Sequence, residues 1–210
     1  VRIELVRIRA GTFTMGDAKG EKDEASHEVT ISRDFYMQTT EVTQAQWSAL
    51  MESNPSKFQG LEMPVERVCF DEVQEFLSKL GARLKSGKAA LPTEAEWEYA
   101  CRAGSRTSWN FGDTAGELPA HGWFNENAGG TTHAVGLKKP NAWGLFDMHG
   151  NVAEWCQDWF GEYTGGAQTD PTGAANGKYR CARGGSWKYE SKYSRAGYRG
   201  KTTPDSKLEF

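Results

Sequence analysis

The chain has 210 residues, of which 38% are hydrophobic and 25% are charged, and its formal net charge is −3. This composition is typical of one globular domain rather than of a disordered chain. No block of basic residues and no apolar run of about 18 residues occurs, so we expect neither nucleic-acid binding nor membrane insertion. The 24 glycines and 8 tryptophans indicate a loop-rich fold with aromatic side chains in a small core.

The first 40 residues predict short strands. Apolar and polar residues alternate over 1–10 and again over 29–37, which is the pattern of a half-buried strand. Between these stretches, residues 17–27 are polar and charged, and we expect them to form an exposed loop.

Three helices are predicted next, from Thr43 to about Glu52, from about Asp71 to Lys85, and from Pro92 to Cys101. Thr43 and Thr93 are each followed three residues later by Gln or Glu, which is the pattern of a capping box. Apolar residues of the second segment recur at helical spacing and predict one buried face.

The second half of the chain shows no helical period. Gly, Asn, Pro and Trp dominate from residue 104 onward, and we predict short strands at 109–111, 145–148, 152–157, 179–183 and 186–187. No internal repeat or linker is visible, so residues 1–210 are interpreted as a single domain. The four cysteines form no C-x-x-C pair, which favours buried, reduced thiols over a zinc site or a disulfide framework.

Five motifs carry a resemblance to a known family. They are Gly11-Thr-Phe-Thr-Met-Gly16, Thr40-Glu-Val-Thr-Gln44, Leu91-Pro-Thr-Glu-Ala-Glu-Trp-Glu-Tyr-Ala100, Asn141-Ala-Trp-Gly-Leu-Phe-Asp-Met-His-Gly-Asn-Val-Ala-Glu-Trp155 and Arg183-Gly-Gly-Ser-Trp187. In this order they resemble the formylglycine-generating enzyme, or sulfatase-modifying factor, family. The resemblance implies an α+β variant of the C-type lectin fold, loop-rich, with few short strands and about three helices. Because the family usually continues into a closing strand, we expect that strand to be missing at Phe210.

The resemblance also bears on catalysis. Formylglycine-generating members hold copper with two cysteines, at the second and seventh residues after the aromatic of the Gly-Gly-Ser-aromatic motif. Those positions are Tyr189 and Ser194 here, and neither can supply a thiolate. Copper is therefore not expected, and the interpretation leans away from an enzyme. The alternative is an oxidoreductase of the sulfatase-maturation type, or a divergent relative, with thiolates such as Cys156 and Cys181 brought together.

A structural calcium ion is implied by the same resemblance. The matching ligands are the Asp147 and Glu154 side chains and the Gly150 and Val152 carbonyls. Calcium binds six to eight hard oxygens of these two kinds. The alternative is that both carboxylates pair with arginines or cap turns without a metal ion.

The segment after Trp187 lines the substrate groove in the family. Here it mixes Tyr, Ser, Lys and Glu, a composition that binding loops of antibodies also use. We predict a module that binds a protein or glycan ligand through Trp187, Tyr189, Glu190, Lys192, Tyr193 and Tyr198. An ordinary solvated loop is the alternative. We expect Arg183, Arg195 and Arg199 to brace the fold through buried carboxylates.

The variable proteins of diversity-generating retroelements use the same lectin-like fold, with their variable residues in this C-terminal segment. The sequence is compatible with membership of that class. Since the chain begins at Val1 rather than Met, its N-terminus does not indicate a compartment, and a cell-surface or secreted location is favoured over a cytoplasmic one. The oligomeric state stays open.

Overall fold

The computed structural model describes residues 1–209 and shows an α+β architecture. The strands are β1 (Leu5–Ile8), β2 (Gly11–Met15), β3 (His27–Ile31), β4 (Phe35–Gln38), β5 (Glu154–Trp159), β6 (Gln168–Thr169), β7 (Arg180–Arg183) and β8 (Gly200–Thr202). The α-helices are α1 (Gln44–Ser48), α2 (Phe70–Gly81) and α3 (Glu94–Arg102), and short 3-10 helices cover Lys22–Glu24, Ala115–Ala120 and Ser191–Ser194. No helix in residues 1–209 combines the length and apolar character needed to cross a membrane.

The strands form three small sheets, with the orders β1-β4, β2-β3-β6 and β5-β7-β8. All neighbouring strands are antiparallel except β3 and β6, which run parallel. The four strands of the first 40 residues confirm the alternation in the sequence. The core lies between these sheets and α3, which contacts β2, β3, β5 and β7 and fully buries Trp97.

Three predicted strands are wrong. Residues 109–111 contribute one isolated bridge between Trp109 and Gly112, and 145–148 and 186–187 lie in turns and irregular loops. The backbone turns sharply around 147–151, where Asp147 and Asn151 both have positive φ. The apolar residues next to them are buried by these turns and not by a sheet. The apolar residues in the sequence therefore did not indicate a strand.

Both threonine capping boxes are confirmed. Thr43 accepts a hydrogen bond from the Gln46 amide, and Thr93 accepts one from the Glu96 amide. Two helices end earlier than predicted, α1 at Ser48 and α2 at Gly81.

A buried ionic network connects α3 to the C-terminal part of the chain. The Glu98 carboxylate pairs with Arg102, 2.8 Å away, and with Arg183. Glu94 accepts two hydrogen bonds from Arg199, at 2.8 and 2.7 Å, and lies 3.5 Å from Arg183. These five side chains are at most 5% exposed. The expected bracing role of Arg183 and Arg199 is thus confirmed.

Substitution Arg183→Met should reduce the free energy of unfolding by about 3–5 kcal/mol, because it leaves buried carboxylates without their partner. Urea denaturation of both proteins measures this. Arg7→Met is the matched control, because Arg7 pairs with Asp34 at the surface and its loss should leave stability nearly unchanged. A loss below about 1 kcal/mol for Arg183→Met would show that the network contributes little.

Candidate functional site

Residues 184–198 form a long loop between β7 and β8. The arginines that flank the two ends of this loop both lie against the Glu94 carboxylate. Arg183 precedes the loop and Arg199 follows it, and both guanidinium groups lie against Glu94 of α3. Arg183 also donates a hydrogen bond to the Tyr198 carbonyl. The loop is therefore closed at its base by the same buried ion pairs that connect α3 to β7.

Five of the six predicted ligand-binding residues form one surface, which we call the tyrosine surface. It comprises Tyr189, Glu190, Lys192, Tyr193 and Tyr198. Tyr189 is 38% exposed, Glu190 and Lys192 are exposed, and the other two are partly buried. The ring centroids of Tyr189 and Tyr193 are 5.6 Å apart, and those of Tyr193 and Tyr198 are 5.1 Å apart. Such edge-to-face contacts restrict the rings before any ligand arrives.

Trp187, the sixth predicted residue, is buried. It is 9% exposed, packs its ring edge-on against Phe58 at 5.3 Å, and donates its indole N–H to the Glu209 carbonyl. These contacts leave little of the ring for a ligand. The ring is thus covered mostly by residues distant in sequence, and the binding role predicted for Trp187 stays a prediction that this burial does not favour.

Buried residues hold the loop from beneath. The His149 Nδ1–H donates to the Ser194 carbonyl over 2.8 Å, and its Nε2 accepts the Asn110 amide over 3.1 Å. Burial lowers the pKa of His149 to about 4, so the ring stays neutral and this donor–acceptor pattern is kept near neutral pH. Gly185 has a φ of +74°, and a Cβ there would lie 2.9 Å from the Tyr193 carbonyl oxygen. Close packing thus fixes the loop backbone.

The cysteine positions of the family's copper site fall within this loop. Tyr189 is exposed, whereas Ser194 is 1% exposed and donates its hydroxyl to the Ser191 carbonyl. Cys156 and Cys181 do lie on adjacent strands, β5 and β7, but both are fully buried in the core. Burial raises the pKa of both thiols, which disfavours the thiolate form that binds copper.

The four cysteines are free thiols. Cys101 is fully buried like the β5–β7 pair, but Cys69 at the start of α2 is partly exposed, so the expectation of four buried thiols is wrong for that residue.

A groove opens beside the tyrosine surface. Its walls include Tyr189, Tyr198, Trp155, Lys201 and the loop 65–68, and its volume is about 160 Å³. That volume is small and suits a single side chain or one ring of a larger ligand. None of the four cysteines is among the described residues that line it.

A separate cluster of acidic side chains lies in the strained loop 147–154. Asp147 is 1% exposed; its Oδ2 accepts the Gly136 amide over 2.6 Å, and its Oδ1 has no hydrogen-bond partner. Burial raises the pKa of Glu154 to about 7, and the nearby Asp147 charge adds to that shift. A third acid, Glu41, is 7% exposed and joins them.

The cluster fits a bound cation in the composition of its ligands. The sequence did not single out Glu41, although it lies in the Thr40–Gln44 motif, because its partners are more than 100 residues away. In residues 1–209 no three His, Cys, Asp or Glu side chains meet closely enough to hold an ion by themselves. The predicted calcium ligands include only two such side chains, and backbone carbonyls supply the others. The unpaired Asp147 Oδ1 is an oxygen that a cation would satisfy.

Comparison with known families identifies the scaffold. The sulfatase-modifying factor enzyme 1-like domain matches residues 2–210. The chain belongs to this family. The family resemblance of the five sequence motifs is confirmed, and so is the α+β, C-type lectin-like fold.

Three relatives of the sulfatase-modifying factor family show its range. The solved structure of Treponema denticola variable protein 1 has 32% identity and a TM-score of 0.92, with coverage of 100% of this chain and 92% of that one. The chaperone protein LppX of Paenibacillus barcinonensis is 30% identical, over 94% of this chain and 83% of the relative. The formylglycine-generating enzyme of Streptomyces coelicolor is 28% identical, over 96% and 85%. One fold thus carries proteins with different names and roles.

Proposed function

We propose that this protein is a ligand-binding display module in which the tyrosine surface contacts a protein or glycan. The observation that carries this proposal is the contrast within one loop. Tyr189, Glu190 and Lys192 project outward, while Ser194 and the flanking arginines are buried and fix the backbone. Such an arrangement lets the outer side chains differ in chemistry without a cost in folding.

The side chains of the tyrosine surface suit a polar macromolecular ligand. Each tyrosine offers a flat apolar face and a hydroxyl group at low conformational cost. Lys192 lies 2.9 Å from Glu190 and 4.8 Å from the Tyr193 ring centre, so charged and aromatic contacts are available within one patch. The adjoining groove adds a small recess for one ligand group.

Substitution Tyr189→Ala should weaken ligand binding at least tenfold, or about 1.4 kcal/mol, because it removes the most exposed ring of the patch. A panel of purified extracellular proteins and a glycan array provide the probes, and a titration of whichever probe binds gives the affinity. Tyr36→Ala is the matched control, since Tyr36 is 66% exposed on β4. Equal affinities of Tyr189→Ala and the unsubstituted protein would contradict the proposal.

We further propose that the loop is diversified by a retroelement. Support comes from the likeness to a variable protein over the whole chain and from the split between outer and buried residues in this loop. The genomic locus should carry a reverse transcriptase gene and a near-copy of the sequence coding for residues 183–210. Differences should be confined to adenines of the copy and should change codons of the tyrosine surface, not those of Arg183 or Arg199. A locus without such a copy would refute retroelement diversification and leave the binding proposal in place.

Calcium is proposed as the ion that fixes the loop 147–154. The Asp147 and Glu154 side chains and the Gly150 and Val152 carbonyls would hold it, and bound calcium would supply positive charge between carboxylates that otherwise repel each other. The unpaired Asp147 Oδ1 supports this assignment.

Calcium at about a hundredfold excess over its Kd should add about 2.7 kcal/mol to the stability of the folded protein. Thermal unfolding in calcium and in EDTA measures this difference. Asp147→Asn should abolish most of it, whereas Asp113→Asn, at an acid outside the cluster, should not. Identical melting temperatures of the unsubstituted protein in calcium and in EDTA would refute the calcium proposal.

A further inference from the structure

We infer that Glu41 is a positioning residue of this cation site, one that holds the backbone between two carbonyl ligands and supplies a third negative charge. The inference rests on the calcium proposal and goes beyond its four predicted ligands. It makes the loop before α1 part of a site otherwise built from 147–154.

The geometry places Glu41 on the ligand-bearing loop. Its Oε1 accepts the Val152 amide over 3.3 Å, and its Oε2 accepts the Asn151 side-chain amide over 3.4 Å. These two donors lie directly between the carbonyls of Gly150 and Val152, which are the expected backbone ligands. Glu41 thereby sets the direction in which that short stretch presents its carbonyl oxygens.

Other contacts of Asn151 carry no charge. Its backbone amide donates to the Trp123 carbonyl over 2.7 Å, and its side-chain oxygen accepts the His133 amide over 2.9 Å. Neutral hydrogen bonds therefore already fix Asn151. The two oxygens of Glu41 add one acceptor each, for the Val152 amide and for the Asn151 side chain, and an amide side chain has only one acceptor oxygen to offer these two donors.

Glu41 also brings a carboxylate close to the two acidic ligands. Burial is the main cause that raises the pKa of Glu41, and the charges of Asp147 and Glu154 add to that shift. Lys138 is the cationic side chain whose charge acts on Asp147. Its ammonium group is engaged elsewhere, because it donates to the Pro119 carbonyl over 2.6 Å and lies 3.5 Å from the Trp123 ring centre.

A bound cation changes what Glu41 contributes to the fold. With the ion present, the two hydrogen bonds that Glu41 accepts hold the ligand-bearing loop, and its charge is attracted to the ion. Glu41→Gln offers one acceptor oxygen in place of two and carries no charge, so it should reduce the gain in melting temperature that calcium brings. A residue with a merely structural role would lower the melting temperatures in calcium and in EDTA together.

The experiment combines thermal unfolding in calcium and in EDTA with a Tb³⁺ titration. Terbium replaces calcium, and its emission can be excited through nearby tryptophan such as Trp155, next to Glu154. We expect Glu41→Gln to weaken Tb³⁺ and Ca²⁺ affinity at least tenfold. The matched control is Glu24→Gln, because Glu24 is fully buried but paired with Arg195 at 2.8 Å. It should lower stability equally in both conditions and leave Tb³⁺ affinity unchanged.

The outcomes separate the two proposals. If the unsubstituted protein gains neither stability from calcium nor Tb³⁺ emission, the calcium proposal fails, and the inference about Glu41 fails with it. If that protein binds both ions and Glu41→Gln binds them equally well, the inference alone is overturned. Should Glu41→Gln fail to fold even in calcium, the charge is needed for folding itself. Glu41→Asp, which retains the charge, must then fold and keep a calcium-dependent gain for the inference to stand.

Discussion

The contact of Glu94 with two arginines determines how this molecule is organised. Glu94 begins α3, and its carboxylate meets Arg183 at the end of β7 and Arg199 just before β8. Burial of such charges is costly, and pairing with opposite charges offsets part of that cost. The arrangement makes the loop between the two arginines a closed unit whose base cannot open without exposing the core. Irregular backbone can therefore present a defined surface without a sheet to support it.

Local signals in the sequence predicted the elements that depend on neighbours close in the chain. Thr43 and Thr93 start their helices through capping boxes that span three residues, and the alternation before residue 40 indicated short strands, of which the structure has four. The apolar residues at 145–148 and 186–187 were misassigned because turns with positive φ at Asp147, Gly184 and Gly185 bury them. A periodic pattern of apolar residues indicates that one side of a segment is buried. It does not distinguish burial by a turn from burial by a sheet.

The candidate site could be predicted where a family motif fixed the position of a residue. It was less predictable where contacts between residues distant in sequence determine whether a side chain is exposed or belongs to the site. Tyr189 and its neighbours form the expected surface, but Trp187 is covered through contacts with Phe58 and Glu209, far away in sequence. Glu41 escaped notice for the same reason, since Asn151 and Val152 lie 110 and 111 residues further along the chain. Pairings over such distances leave no spacing pattern in a single sequence.

The order of residues along the chain has a consequence for biosynthesis. Glu94 leaves the ribosome well before Arg183 and Arg199, so the nascent chain carries this acid of its future core before either arginine partner exists. This part of the core therefore forms only after both arginines have been translated. A chain that stops before residue 183 leaves Glu94 buried without either of them, and the long loop between the arginines then loses the ion pairs that hold its two ends.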